Sequence, residues 1–360
     1  MDPLDKIDAI QKVDRENMLD LIRRFSDQIH DAHQIGRSLS LDPSLGEGIT
    51  KLVFSGMGGS AIGADVIRSY LNYDLSIPIF VNRHYRLPAF VDGKTLLIVS
   101  SYSGNTEEAI ASLEEGLKRR ARLLAISSNG QLARLADRHG FLLIEIPKKF
   151  PPRAALGYSV LPLLVVLSKL GFWSAYRAEA FLEVEHLIRS LAEDQYGVEV
   201  PRPNNLAKQL AMSCFKKYAV VYAGTDAFDV VALRWRGQIE ENAKSLASHH
   251  VLPEMNHNEL VGWKFPKAIL KDIVVIMLRD QADHDRIQKR MDLTRDLIRP
   301  LAAEVIEVYS QGESLLARMF SLIHLGDWVS FYLAVLNGVD PTPVEVVNYL
   351  KSELARDAGG

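Results

Sequence analysis

The sequence predicts an α/β protein built as two halves of similar plan, each a parallel sheet covered by helices on both faces. Three observations predict it. Apolar runs of strand length recur from residue 51 onward. Helical runs separate them, and near-continuous apolar strands with helical crossovers mark a parallel sheet buried on both faces. After a polar, proline-bearing passage, "YGVEVPRPNN" at 196–205, the alternation starts again.

Residues 5–38 read as one or two amphipathic helices, since Leu4, Ile7, Ile10, Val13, Met18, Leu21, Ile22 and Phe25 recur at three- and four-residue steps. The first half then supplies strands at 51–56, 77–82, 95–101, 121–128 and 141–147. Helices are expected at 60–71, 106–119, 130–139 and 154–171. In the second half the strands are 218–224, 271–280 and 304–310, with helices at 226–243, 283–298 and 312–336. This divides the chain into a helical segment at 1–40, a first domain at 41–175, a helical linker at 176–205, a second domain at 206–340 and a C-terminal helix at 341–360 carrying Lys351. No clean internal repeat links the halves.

A chain of 360 residues with 48% hydrophobic content is long enough for two cores. Its net charge of −3 and pI of about 6.4 give no support for a nucleic-acid or membrane surface. The single cysteine, Cys214, excludes an internal disulfide framework and a multi-cysteine zinc site, and fits a reducing, cytoplasmic setting. The N-terminus lacks the basic start and apolar core of a signal peptide. The longest apolar stretch, 155–173, is broken by Ser159, Pro162, Ser168 and Lys169, and reads as a buried helix rather than a membrane span.

Five stretches bear on chemistry. "GMGGSAIG" (56–63) lies between a strand and a helix and matches the dinucleotide fingerprint through Gly56, Gly58 and Ala61. That fingerprint also wants an acid about 20 residues on, and the next strand ends in Asn82. The other readings are a substrate loop, whose glycines admit a ligand to the backbone at a helix N-terminus, and a plain tight turn with Ser60 as N-cap. "SYSGNT" (101–106) joins a buried strand to a helix with more hydroxyls than one cap needs. Ser101, Ser103 and Thr106 can each donate to a phosphate oxygen; without a P-loop lysine, the pattern fits a phosphate monoester.

The third stretch, 239–263, holds Glu240, Glu241, Lys244, His249, His250, Glu254, His257 and Glu259. It has no H-E-x-x-H zinc pattern, and carboxylate and imidazole general acid–base chemistry fits it better than a metal. Spacing alone does not choose among these acids, and "NHNEL" also reads as a polar helix start capped by Asn256. In the fourth, "FPPRAALGYS" (150–159), Arg153 opens a helix, where a cation is poorly placed for the helix dipole. That points to a task such as facing an oxyanion, against the plainer reading of a surface arginine. In the fifth, "GVDPTPVEVVNYLKSELA", a proline-rich link leads into a short helix, and Lys351 taken alone is an ordinary helical lysine.

Taken together, "GMGGSAIGAD", "SYSGNTEE", "PPR", "ENAK", "LPEMNHNELVGW" and "VNYLK" stand in the order found in bifunctional phosphoglucose/phosphomannose isomerases, and the chain resembles that family of the sugar-isomerase (SIS) superfamily from about residue 50 to its end. The resemblance implies two SIS domains, each a five-stranded parallel sheet between helices, in a cytoplasmic homodimer that needs no metal or cofactor. It implies an aldose–ketose isomerase of glycolysis and gluconeogenesis, acting on glucose 6-phosphate and mannose 6-phosphate to give fructose 6-phosphate. The phosphate would sit on Ser101, Ser103 and Thr106 with Gly59 and Ser60 nearby. Glu241 would be the base between C2 and C1, with Glu240 beside it as the rival. His257, reaching in from the partner subunit, would assist ring opening. Lys351 would help at the ring oxygen, Arg153 would stabilise the enediolate, and residues 341–344 would line the region that tolerates either epimer.

Three rivals stand beside this reading. A non-catalytic phosphosugar sensor keeps the serine loop without the acid–base set. An amidotransferase-type isomerase needs a cysteine near its start, and Cys214 is mid-chain. An NAD-dependent enzyme needs the acid that Asn82 replaces.

Overall fold

A computed structural model describes residues 3–357. The first sheet contains β1 (Lys51–Ser55), β2 (Ile79–Asn82), β3 (Thr95–Ser100), β4 (Arg122–Ser127) and β5 (Leu142–Glu145), ordered β2-β1-β3-β4-β5 with every pair parallel. The second contains β6 (Tyr218–Gly224), β7 (Ala247–Leu252), β8 (Ile273–Arg279) and β9 (Glu304–Tyr309), ordered β7-β6-β8-β9 and also parallel. Among the described residues the second sheet thus has four strands, one fewer than the resemblance implies.

Strand periodicity sorts the side chains to the two faces. In the first sheet Leu52, Phe54, Leu96, Ile98, Leu124 and Ile126 face inward, while Val53, Leu97, Val99 and Ala125 pack under the helices Glu107–Lys118 and Gly130–His139. In the second, Val221, Ala223 and Ile276 join that same inner core, and Val220, Tyr222 and Met277 form the outer one. The inner faces of both sheets therefore share one core.

The middle of that core is the helix Leu315–Asn337, long and apolar enough to cross a membrane, yet 94% buried over its most apolar window inside the protein. A few polar groups along it tie it to its neighbours. Asp327 receives Arg234 (2.9 and 3.1 Å) and Gln238 (2.6 Å), Trp235 donates to the Leu322 carbonyl (2.8 Å), and Ser330 accepts from Asn242 (3.0 Å). These bonds fix the rotation of the helix Asp229–Ala243, which also packs on the first domain's helix Gly58–Tyr70. Arg68 and Ser69 of the latter reach Asp229 at 2.7 Å each.

Each sheet reverses its winding beside its second-position strand: β1 lies between β2 and β3, and β6 between β7 and β8. In open parallel sheets ligands settle in the crevice at such points, outside the strand C-termini. The first crevice is bordered by the loops after β1 and β3. The second holds Asp226 and a turn in which the Asp280 N–H donates to Asp283 (3.3 Å), with Asp283 close against Gly224.

Two local expectations are corrected, and one element is present with a property that sequence did not show. The N-terminal segment forms three α-helices, Ile7–Val13, Met18–Arg23 and Phe25–Ser38, broken where buried Asp14 accepts from the Met18 and Leu19 N–H groups at 2.8 Å. Strand β7, "ASHHVL", lies inside the stretch read only for its acids and histidines. The C-terminal helix, Glu345–Asp357, packs little within its own chain, with Val346, Tyr349 and Leu350 all exposed.

Candidate active site

The hydroxyl turn begins where β3 ends. The Ser101 N–H donates to the Ile126 carbonyl (3.2 Å), which extends the ladder by one residue and buries Ser101. The chain then turns sharply at Gly104, whose φ is +69° and where an added Cβ would run into the Asn129 carbonyl. Only glycine fits both demands. Thr106 precedes the helix Glu107–Lys118 but does not cap it with its side chain; its hydroxyl lies 2.8 Å from that of Ser101. Ser103 is exposed at the tip, its hydroxyl accepting from the Asn105 N–H (3.3 Å).

The glycine loop after β1 meets this turn. The reading of Ser60 as an N-cap is corrected, because the helix starts at Gly58 and Ser60 is its third residue. Its hydroxyl instead accepts from the Tyr102 N–H (3.2 Å), tying the two loops together. A Cβ on Gly59 would stand 2.7 Å from the Pro152 carbonyl, so the glycine lets the Arg153 turn close over the loop. Gly59, Ser60, Ser101, Ser103 and Thr106 are thereby gathered at the first switch point. The open N–H groups and positive ends of two helices border them.

Arg153 is 4% exposed, which excludes a surface arginine. Its Nε donates to Asn242 (2.6 Å), and its Nη2 to the carbonyls of Pro341 (2.6 Å) and Thr342 (2.8 Å). Its Nη1 faces Glu241 at 3.6 Å. Burial pushes the guanidinium below its ordinary pKa, and the Glu241 charge opposes that shift. Glu240 pairs with Arg236 (3.6 Å). Both glutamates line a cleft of about 210 Å³ between the domains, with Gly58, Gly59 and Arg83 across from them.

His257 and Lys351 are not brought to this cleft within one chain. His257 is exposed on the short turn Glu254–His257 beyond β7, and Lys351 is exposed on the C-terminal helix. The start of "NEL" is capped by Asn258, which accepts from Glu259 (2.6 Å), while Asn256 donates to Thr294 (2.9 Å). His249 and His250 lie on β7 outside the cleft; burial lowers the pKa of His249.

Sequence reasoning missed Asn242, Arg83 and the part played by Lys244. Asn242 and Lys244 stand in "ENAK" itself, and Arg83 follows the very Asn82 noted for not being an acid. Arg83 pairs with buried Asp65, one turn along from the glycine loop.

Comparison with known proteins agrees with this architecture. Residues 203–354 match the family model described as the bacterial phospho-glucose isomerase C-terminal SIS domain. A bifunctional phosphoglucose/phosphomannose isomerase of Caldicellulosiruptor bescii is 44% identical over 340 residues, covering 94% of this chain and 99% of that protein. One from Aquifex aeolicus is 37% identical over 308 residues, 85% of this chain and 91% of that protein. The solved structure of a hypothetical protein from Thermus thermophilus superposes with a TM-score of 0.73 at 16% identity, over 95% of this chain and 91% of that one, and shows the shared SIS fold. With identity of this degree over nearly the whole length, and both domains in place, the chain belongs to the bifunctional phosphoglucose/phosphomannose isomerase family.

Proposed function

We propose that the protein interconverts glucose 6-phosphate and mannose 6-phosphate with fructose 6-phosphate through an enediolate, using the cleft between its domains. The observation that carries this reading is the buried Arg153 guanidinium facing Glu241 beside a hydroxyl-lined helix N-terminus. Ser101, Ser103, Thr106, Ser60 and the Gly59 backbone hold the phosphate, and the binding energy gained there aligns C1 and C2 with the carboxylate. Glu241 takes the C2 proton of the open aldose and returns it to C1, while the hydroxyl proton passes from O2 to O1. Arg153 Nη1 offsets the charge on the enediolate oxygens. The pairing of Glu240 with Arg236 favours Glu241 as the base.

Ring opening falls to His257 of a second subunit and to Lys351. Their exposure, and that of Val346, Tyr349 and Leu350 on the C-terminal helix, fits a homodimer in which these surfaces are covered. The carbonyls of Pro341 and Thr342 bind Arg153, so 341–344 borders the reacting carbons and is the segment we assign to epimer tolerance. The buried free thiol of Cys214 fits a cytoplasmic enzyme of glycolysis and gluconeogenesis.

The test is incubation of purified protein with fructose 6-phosphate in deuterated buffer. Deuterium at C2 of both glucose and mannose 6-phosphate is expected. Tight binding without exchange would instead make the protein a phosphosugar sensor.

A further inference from the structure

Lys244 follows directly on the helix that carries Glu241, with a left-handed backbone at φ 54°. Its ammonium lies among four carbonyl oxygens: Glu241 (2.8 Å), Asn242 (3.3 Å), Asp340 (2.8 Å) and Pro341 (3.0 Å). The first two are terminal helix carbonyls, which have no intrahelical partner and attract a cation. An ordinary cap would end there. The other two belong to a segment 96 and 97 residues further along the chain.

That segment is held from several sides. The Pro341 carbonyl is shared between Lys244 and Arg153, and the Thr342 carbonyl accepts from Arg153. The Asp340 carboxylate accepts from the N–H groups of Thr342 (3.0 Å) and Arg15 (3.2 Å). Three residues beyond Thr342 the exposed helix Glu345–Asp357 begins. Lys351 stands about two turns into it, on the order of 10 Å from its start. The anchored residues 340–342 are therefore where this helix takes its direction.

We propose that Lys244 is a positioning residue. Together with Arg153 it clamps residues 340–342 to the end of the Glu241 helix, and so sets the origin of the helix that bears Lys351. This rests on the reading above for the role of Lys351. It also joins three groups of the reaction in one unit, since the clamp touches the Glu241 carbonyl, the Arg153 guanidinium and the base of the Lys351 helix.

The experiment uses the full chain with Lys244→Asn, which keeps a residue at ease with positive φ and removes the ammonium. Hydrogen exchange of 340–357 should quicken about tenfold or more, the usual scale for losing bonds to a charged group, with exchange in β1 and β3 unchanged. The kcat for fructose 6-phosphate should fall about tenfold or more, with competitive inhibition by inorganic phosphate unchanged. Lys244→Gln, whose amide still serves two carbonyls, should give a smaller change of the same sign, and it carries the test should the asparagine variant not fold. In a Lys244→Asn/Lys351→Met pair the losses of kcat should overlap rather than multiply. Unchanged exchange in 340–357, or fully multiplicative losses, would overturn the clamp. If Lys351→Met alone keeps full kcat while Lys244→Asn still loosens 340–357, the clamp stands and the role given to Lys351 falls.

Discussion

Arg153 Nη1 stands 3.6 Å from Glu241 Oε2, and the rest of that guanidinium is already committed to Asn242 and to the carbonyls of Pro341 and Thr342. One edge of a buried cation is thus left facing one carboxylate, in a cleft open to a ligand. Glu241→Gln should lower kcat by a factor of about 10²–10⁴, the usual worth of a general base, with the affinity for a bound sugar phosphate little changed. Glu240→Gln should stay within a few-fold of the parent. Steady-state rates and calorimetric binding for both variants check this, and the reverse ranking would move the base to Glu240.

The hydroxyl turn predicts a different kind of loss. Ser101→Ala and Thr106→Val each remove a hydroxyl from the proposed phosphate site, so KM for fructose 6-phosphate and the inhibition constant of inorganic phosphate should both rise about tenfold or more. Equal constants in the variants and the parent would remove the phosphate from this turn.

Subunit exchange tests the place of His257. Glu241→Gln and His257→Ala proteins, each nearly inactive alone, should regain about a quarter of parental activity when mixed and reassociated at random, because half the dimers then hold one intact site. No recovery in verified heterodimers would return His257 to its own subunit.

The buried pair Arg234–Asp327 bears on stability. Burial raises the Asp327 pKa, and Arg234 and Gln238 act against that shift. Asp327→Ala leaves the Arg234 charge unmatched in the core and should cost about 3–5 kcal/mol, read from the midpoint of denaturant unfolding. A loss of under about 1 kcal/mol would show that the core rearranges around the arginine.

Asp283 adds a pH dependence whose sign is fixed. Burial is the main cause that raises its carboxyl from 3.8 to about 6, and the hydrogen bond from the Asp280 N–H acts against that rise. Between these two values the folded protein binds the proton more than the unfolded chain does, so stability falls as pH climbs through that window and remains lowered above it. Asp283→Asn should flatten this slope and raise the unfolding midpoint at pH 7.5 relative to the parent. A variant with the parental slope would take the titration away from Asp283.

The strands that sequence reveals best are those buried on both faces. The run "TLLIVS" of β3 has no exposed residue, and its apolar continuity announces it. Strand β7 escapes because it is an edge strand, only half-buried, and spells Ala-Ser-His-His-Val-Leu. The hydroxyl turn is legible for a chemical reason: three hydroxyls where a cap needs one. Arg153 stands out as a cation at an expected helix start, although it lies on the short turn Pro152–Ala154 and the helix begins at Leu156. What holds it is not legible, since Asn242 and Pro341 lie 89 and 188 residues away and only folding brings them near. Ser60 and Asn256 are misread as caps for a smaller reason. Helix starts shift by two residues, and the residue that caps changes with them.

The second switch point bears on how many ligands a subunit takes. Its geometry repeats that of the first, but where one crevice offers hydroxyls and open amides, the other presents Asp226 and the Asp280–Asp283 turn. Asp280 is there paired with Arg318 (2.9 Å), so the two mouths differ in their chemistry while sharing a topology. On the function proposed above, one sugar phosphate per polypeptide is expected, seated at the first crevice, while the second half contributes the helix that carries Glu241.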